Sequence, residues 1–211
     1  KNFIIIAENN KKGVFAVMKK LILVTSPPAC GKTYISKELS KRLRHIVYLD
    51  KDSLIPLSKQ IFLVAGEEYN RSSPFFEKYI RDYEYETIVG MALEALDYDD
   101  KVLINAPFTR EIREKAYMEK LRETLLAKGA KLVVIWVNTS KEVCRQRMIA
   151  RNSDRDTWKL AHWDEYIAGC NFEVPVELDT PESEDDLLIF NNSTDEEFEE
   201  SMGRILAVLE D

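Results

Sequence analysis

The sequence predicts a three-layer α/β domain in which a five-stranded parallel sheet is covered by helices on both faces. Three observations carry this. From Leu21 onward, short β-like apolar runs alternate with stretches of helical period. The most apolar run, KLVVIWV (Lys131–Val137), lacks a polar face, as a strand buried on both sides requires. The first run leads directly into Gly31-Lys32-Thr33 and an amphipathic helix. Alternating strands and helices imply parallel pairing. Right-handed crossovers then place ligand-binding groups at the carboxyl ends of the strands.

The elements follow in order. LILVT (Leu21–Thr25) is the first strand, and a helix is expected from about residue 32 to 44, with Ile35, Leu39 and Leu43 on one face. HIVYLD (45–50), KVLINA (101–106), KLVVIWV and LLIF (187–190) are the remaining strands. Helical stretches are expected over about 73–96, 109–128, 140–152, 156–168 and 195–209. Gly129 suits the C-cap of the second of these, and Ser140 or Thr139 the N-cap of the third. The acidic stretch 171–186 reads as a surface connection. No repeat or second domain boundary is visible, so residues 18–211 are read as one domain. Residues 1–17 are read as an N-terminal extension whose apolar ends, Phe3–Ile6 and Val14–Val17, suit a small hairpin.

Composition narrows the function classes. At 211 residues, 45% apolar and 32% charged, the chain has the balance of a globular domain with one substantial core. A net charge of −7 counts against general nucleic-acid binding, which leaves a basic footprint. No apolar run reaches the roughly 18–20 residues that span a bilayer, and the start is too polar for a signal peptide. Cys30, Cys144 and Cys170 are odd in number and lack metal-ligand spacing, which predicts reduced thiols and a cytoplasmic protein.

The chemistry concentrates in SPPACGKT (26–33). It fits the phosphate-loop pattern Gly-x-x-x-x-Gly-Lys-Thr with serine in place of the first glycine. Such a loop aims backbone N–H groups at anionic oxygens from a helix N-terminus. Ser26, Pro27, Pro28, Ala29, Cys30, Gly31, Lys32, Thr33 and Tyr34 are therefore expected to line a nucleotide site. Gly31 gives close approach, Lys32 meets the β- and γ-phosphates, and the Thr33 hydroxyl is a magnesium ligand. Serine and alanine tolerate positive φ less well than glycine, and Pro27 and Pro28 stiffen the entry. A plain strand-to-helix turn is the alternative, which the flanking strand and helix disfavour.

The second strand ends in YLDKDSL, placing Asp50 and Asp52 beside the loop. A carboxylate there can take a proton from an attacking hydroxyl or hold magnesium; a solvated acidic turn is the alternative. Arg147, Arg151 and Arg155 recur every four residues and would line one face of a continuing helix. Arginines so placed can neutralise a transferring phosphoryl group, or simply form a solvated basic face. On the acceptor side, Arg71 and Arg81 are candidates to clamp an anionic group, amid Phe75, Phe76, Tyr79 and Tyr83. The alternative is that both arginines pair with the neighbouring DYEYE (82–86) while the aromatic residues pack inward.

TSPPACGKT, LDKDSL, INAPF and RNSDR together resemble the P-loop kinases of small molecules and polynucleotide ends. They are especially similar to the kinase domain of phage polynucleotide kinase and its bacterial AAA-type relatives. The resemblance spans about residues 19–211 through these four short motifs. It implies a P-loop NTPase fold using ATP and Mg2+. It also implies that Asp52, 20 residues after Lys32, is the general base, with Asp50 available to the metal. A lid over about 147–168 would bring Arg151 and Arg155 over the phosphates, and the loop carrying Asn191 would approach the adenine. Two positions depart from the pattern. Asn105 ends the third strand where many relatives have a magnesium-binding aspartate, which shifts that duty toward Asp50 or Asp52. Ile55 stands where the phage enzyme has an arginine for nucleic-acid phosphate, which disfavours a polynucleotide acceptor. The expectation is an ATP- and Mg-dependent phosphotransferase acting on a hydroxyl of a small molecule: a nucleoside, nucleotide, sugar, antibiotic or cell-wall nucleotide sugar. A polynucleotide 5′-hydroxyl kinase and an ATP-binding regulatory switch are the alternatives.

Overall fold

The computed structural model describes residues 18–153, 156–178 and 187–210. Strand β1 (Lys19–Thr25) is buried almost throughout because it lies in the middle of the sheet, where alternate side chains enter opposite layers. The order is β2 (Ile46–Asp50), β3 (Lys101–Asn105), β1, β4 (Ala130–Asn138), β5 (Leu187–Asn191), and every pairing is parallel. From β1 the chain passes toward β2 on one side; from β4 it passes toward β5 on the other. A crevice therefore opens at the carboxyl edge beside β1.

The helices in chain order are α1 (Lys32–Arg42), α2 (Ile55–Ala65), α3 (Pro74–Tyr79), α4 (Arg81–Ala95) and α5 (Lys115–Ala127). After β4 come α6 (Lys141–Arg151), α7 (Thr157–Ala161), α8 (Trp163–Ala168) and α9 (Asp195–Glu210). Leu21 and Leu23 face a layer in which α4 supplies Ile88 and Ala92 and α5 supplies Met118, Leu121 and Leu125. Ile22 and Val24 face the other layer, with Ile35 and Leu39 of α1, Cys144 of α6, and Met202 and Ile205 of α9. Each such Leu, Ile or Met contributes about 1.5–3 kcal/mol on burial. Among the described residues no helix is long and apolar enough to cross a membrane.

Several boundaries differ from the expected ones for identifiable reasons. The helix expected over 73–96 breaks at Ile80 (φ −128°, ψ −46°), whose side chain turns into a small cluster with Phe62 and Phe76. Helix α2 was not expected from periodicity. Only Ser58 and Phe62 of it are buried, while Leu57, Leu63 and Val64 are exposed, so its apolar residues do not form one stripe. The stretch at 109–128 opens with a 3-10 turn at Glu111–Arg113, and the one at 156–168 divides at His162. Ser140 caps α6 as expected, accepting from the Val143 N–H at 3.3 Å, and Gly129 takes φ +65° just beyond α5. The expected hairpin within residues 1–17, Arg155, and residues 179–186 of the acidic connection lie outside the described residues.

One ionic cluster lies inside the fold. The Lys51 ammonium is 2.7 Å from Glu84 Oε2, and both side chains are only 4% exposed. Arg71 donates to both Glu84 oxygens at 2.7 Å, and Ser58 donates to Oε1. Burial alone would raise the Glu84 pKa. The donors from Arg71, Lys51 and Ser58 outweigh it and hold the carboxyl at about 2. The cluster fastens the Asp50–Leu54 turn and the segment before α3 onto α4.

On the acceptor side, the arginine pairing follows the alternative reading. Arg71 belongs to Glu84. Arg81 lies 2.7 Å from Glu111 and 3.0 Å from Asp82, with its guanidinium over the Tyr85 ring. Both arginines are held in pairs with acids, and Glu84 and Asp82 lie within the 82–86 stretch of the alternative reading. Arg81 also lines a cavity of about 520 Å³ with Tyr85, Glu86 and Arg110.

Replacing Glu84 with alanine leaves Lys51 buried without its partner and is expected to cost about 3–5 kcal/mol, read from urea unfolding at pH 7. The folded-state pKa lies below the ordinary 4.5, so the stabilisation is complete above that value and is lost as pH falls toward 2. The difference between the wild type and Glu84→Gln should shrink across that window. A difference independent of pH would rule out this account.

Candidate functional site

Residues Ser26–Gly31 turn the chain from β1 into α1. Gly31 takes φ +91°, and a β-carbon there would stand 2.6 Å from Asn192 Nδ2. Glycine is thus required both by the backbone and by the space. Ala29 also lies in the left-handed region, at φ +63°, which costs a non-glycine residue about 1–2 kcal/mol. Donors from outside the loop hold it in shape. The Cys30 carbonyl accepts from Asn192 Nδ2 at 2.7 Å, and from Thr139 Oγ1 and Arg147 at 3.1 Å. Cys30 serves the loop through its backbone, since its thiol is buried 3.5 Å from that of Cys144.

Beyond the loop, the Lys32 ammonium donates to Asn105 Oδ1 at 2.7 Å. Burial lowers the Lys32 pKa, with Asp52 and Asp50 opposing the shift. The other half of the Asn105 amide, Nδ2, lies 2.9 Å from Asp50 Oδ2 and 3.2 Å from the Thr33 hydroxyl. Asp50 Oδ2 also accepts from the Tyr48 hydroxyl at 2.8 Å, and Oδ1 accepts from the Asp52 N–H at 3.0 Å. Burial pushes the Tyr48 pKa well up, and the bond to Asp50 adds to this, so Tyr48 remains a donor. Asp52 is exposed.

A cavity of about 490 Å³ stands over this floor. It is lined by residues 26–34, Asp52, Pro107, Thr109, Arg147, Arg151 and Lys159. A second recess shares Gly31, Tyr34 and Arg147 with it and continues past Asn192–Asp195 to Phe198 and Glu199. Tyr34 is exposed, with its ring 5.6 Å from that of Phe198. The size and the converging polar groups suit a small charged ligand. The oxygens of Thr33 and Asp50, brought together by Asn105, are a hard donor set of the kind that suits magnesium, which keeps waters and phosphate oxygens in its shell.

A family model described as an AAA domain matches residues 21–173. The chain belongs to that family. Solved structures similar to it include a protein of Chloroflexus aurantiacus j-10-fl, at 19% identity over 91% of this chain and 97% of the other, with a TM-score of 0.60. A sugar kinase from Janibacter sp. HTCC2649 has 14% identity, coverage of 90% and 94%, and a TM-score of 0.53. A shikimate kinase from Bacteroides thetaiotaomicron has 17% identity, coverage of 90% and 98%, and a TM-score of 0.51. At these identities the likeness shows a shared kinase-like P-loop fold. None of the curated proteins searched matches the chain.

In this AAA domain the loop residues, Lys32, Thr33, Asp50 and Asp52 come together as the sequence pattern anticipates. One expectation is corrected, and Arg147 has a part beyond lining the cavity. Asn191 pairs with Asn138 at 2.9 Å, and it is the next residue, Asn192, that reaches the loop, because adjacent residues leaving a strand face opposite ways. Arg147 is a strut: it donates to the Cys30 carbonyl and, at 2.8 Å, to the Asn192 carbonyl. Arg151 lines the cavity with its Nε 2.8 Å from Asp156. Sequence reasoning missed Tyr48 and Lys159. Tyr48 precedes Asp50 by two residues on one strand, and Lys159 follows Asp156 by three at helical spacing.

Gly31→Ala is expected to weaken ATP binding more than tenfold and to lower stability by about 1–2 kcal/mol, checked by calorimetric titration and thermal unfolding. Ala29→Gly should do the reverse to the fold. Relief of the left-handed alanine, less the backbone entropy of glycine, leaves a gain of about 0.5–1 kcal/mol. A lower melting temperature in Ala29→Gly would contradict the stated strain.

Proposed function

We propose that this AAA domain transfers the γ-phosphoryl group of ATP to a hydroxyl of a small-molecule acceptor, with Mg2+. The observation that carries the reading is Asp52, an exposed carboxylate on the wall of the cavity whose floor is the phosphate loop. A nucleotide-binding switch has no need of a base there. Lys32 and the loop N–H groups bind the β- and γ-phosphates. Thr33 and Asp50 hold Mg2+, which when bound neutralises charge on the phosphate oxygens. Asp52 accepts the proton of the acceptor hydroxyl as the oxygen attacks. Arg151 offers its remaining N–H groups to the equatorial oxygens of the transferring group.

The acceptor reading is supported by the names of proteins sharing the fold: sugar kinase, shikimate kinase, and a gluconokinase from Sinorhizobium meliloti 1021 at 15% identity and a TM-score of 0.50. A polynucleotide acceptor is disfavoured by the net charge of −7 and by the pairing of Arg71 and Arg81 with acids.

Labelled γ-phosphate from Mg-ATP, offered to nucleosides, nucleotides, sugars, aminoglycosides and a 5′-hydroxyl oligonucleotide, should appear on a small molecule. Asp52→Asn should lower that transfer by about 10²–10⁴-fold while ATP still binds. No labelled acceptor, with equal slow phosphate release from both proteins, would remove Asp52 as a base and leave an ATP-binding switch.

A further inference from the structure

We propose that Lys159 contacts the γ-phosphate and that Asp156 is the positioning residue that sets both Lys159 and Arg151 on the cavity wall. The proposal rests on the nucleotide reading above.

Asp156 is fully buried, although it sits in the segment that follows α6 toward the surface helices α7 and α8. A buried carboxylate needs a cation and hydrogen bonds. Arg151 supplies these at one oxygen: its Nε and terminal nitrogen lie 2.8 and 2.5 Å from Asp156 Oδ2. That pair is already neutral. Yet Lys159 brings a second cation to the other oxygen, Oδ1, at 3.4 Å. The same ammonium lies 5.5 Å from the centroid of the Tyr166 ring on α8, so two groups fix its position. Its side chain remains 30% exposed and lines the cavity beside the phosphate loop.

The trio therefore carries one positive charge more than Asp156 requires. With Lys32, Arg147, Arg151 and Lys159, four cations line the cavity, and Asp52 is the only acid among the lining residues. In a chain whose net charge is −7, such an excess marks a place for a compact polyanion. The loop amides and Lys32 reach the β- and γ-phosphates from the loop side only. Lys159 comes from a different helix and shares its cavity with Asp52, where the terminal phosphate must meet the acceptor. A lysine ammonium, with three donors on a flexible stem, suits the non-bridging oxygens of that group. Arg151 leaves one terminal nitrogen for the same purpose.

The test is calorimetric titration of the full chain with Mg-ATP and, separately, Mg-ADP. Lys159→Met should weaken Mg-ATP about tenfold and Mg-ADP less than twofold, while Lys159→Arg keeps most of the Mg-ATP affinity. Asp156→Asn should also weaken Mg-ATP, and Lys159→Met should add little in that background, because the lysine is no longer held in place. Equal losses for ATP and ADP, or no loss in Lys159→Met, would overturn the role of Lys159. Additive effects of the two substitutions would overturn the role of Asp156. If Asp156→Asn fails to fold, the Met and Arg variants at Lys159 still decide the role of Lys159. Asp156→Glu, which keeps the charge but shifts the oxygens, then takes the place of Asp156→Asn in the additivity test. Failure of the wild type to bind ATP would overturn the nucleotide reading itself.

Discussion

The amide of Asn105 is the tie on which the rest of the site depends. It stands in register with Val24 of β1 on one side and Asp50 of β2 on the other, so the ends of three strands meet at one side chain. Its oxygen accepts from Lys32, and its nitrogen donates toward Asp50 and Thr33. A carboxylate there would accept from Lys32 equally well but would repel Asp50, whereas an amide both accepts and donates. Asparagine in β3 and aspartate in β2 are therefore one arrangement. The negative charge lies on β2, and Tyr48 adds a donor to steady it there.

The neighbouring sequence Asp50-Lys51-Asp52 separates charge by direction. Asp50 joins the Asn105 network and Asp52 faces the cavity, while Lys51 turns inward to Glu84. The turn holds this alternation because the Asp50 carboxylate accepts from the Asp52 N–H and caps the 3-10 helix of residues 51–54. Burying the lysine also removes a cation that would otherwise neutralise the two acids. The same ionic cluster takes up Arg71, so the chain leading to α3 is tied to the turn that presents Asp52. The turn carrying Asp52 and the segment leading to α3 are thus fastened to the same residue of α4.

Much of the fold was legible because the strands are short apolar runs and the main helices carry a single apolar face. Helix α2 was not, because its exposed Leu57, Leu63 and Val64 mask the period set by Ser58 and Phe62. At the site, the meeting of Lys32 and Thr33 with Asp52 at one cavity was legible from the loop pattern and from the end of the second strand. For Arg71 and Arg81 the alternative pairing with residues 82–86 was legible and forms at Glu84 and Asp82, whereas Glu111, 30 residues beyond Arg81, was not. The aromatic-rich setting made an acceptor clamp plausible, but a buried carboxylate competes for a guanidinium more strongly than an open cleft does. The choice between Asn191 and Asn192 was illegible for a different reason: one residue at a strand end reverses the facing, and only the loop geometry settles it.

The distribution of charge explains how an acidic protein can offer a site for an anion. The first turn of α9 carries Asp195, Glu196 and Glu197, and acids are spread over other surfaces, while four cations gather on one concave wall. At physiological ionic strength the field of a surface charge fades over about 8 Å. An extended polyanion laid across this surface would therefore meet its acidic regions at close range. A compact polyphosphate inside the cavity meets chiefly the concentrated cations, with low-dielectric walls focusing their field. A compact anion and an extended one would thus meet different fields, through where the charges lie and not through their sum.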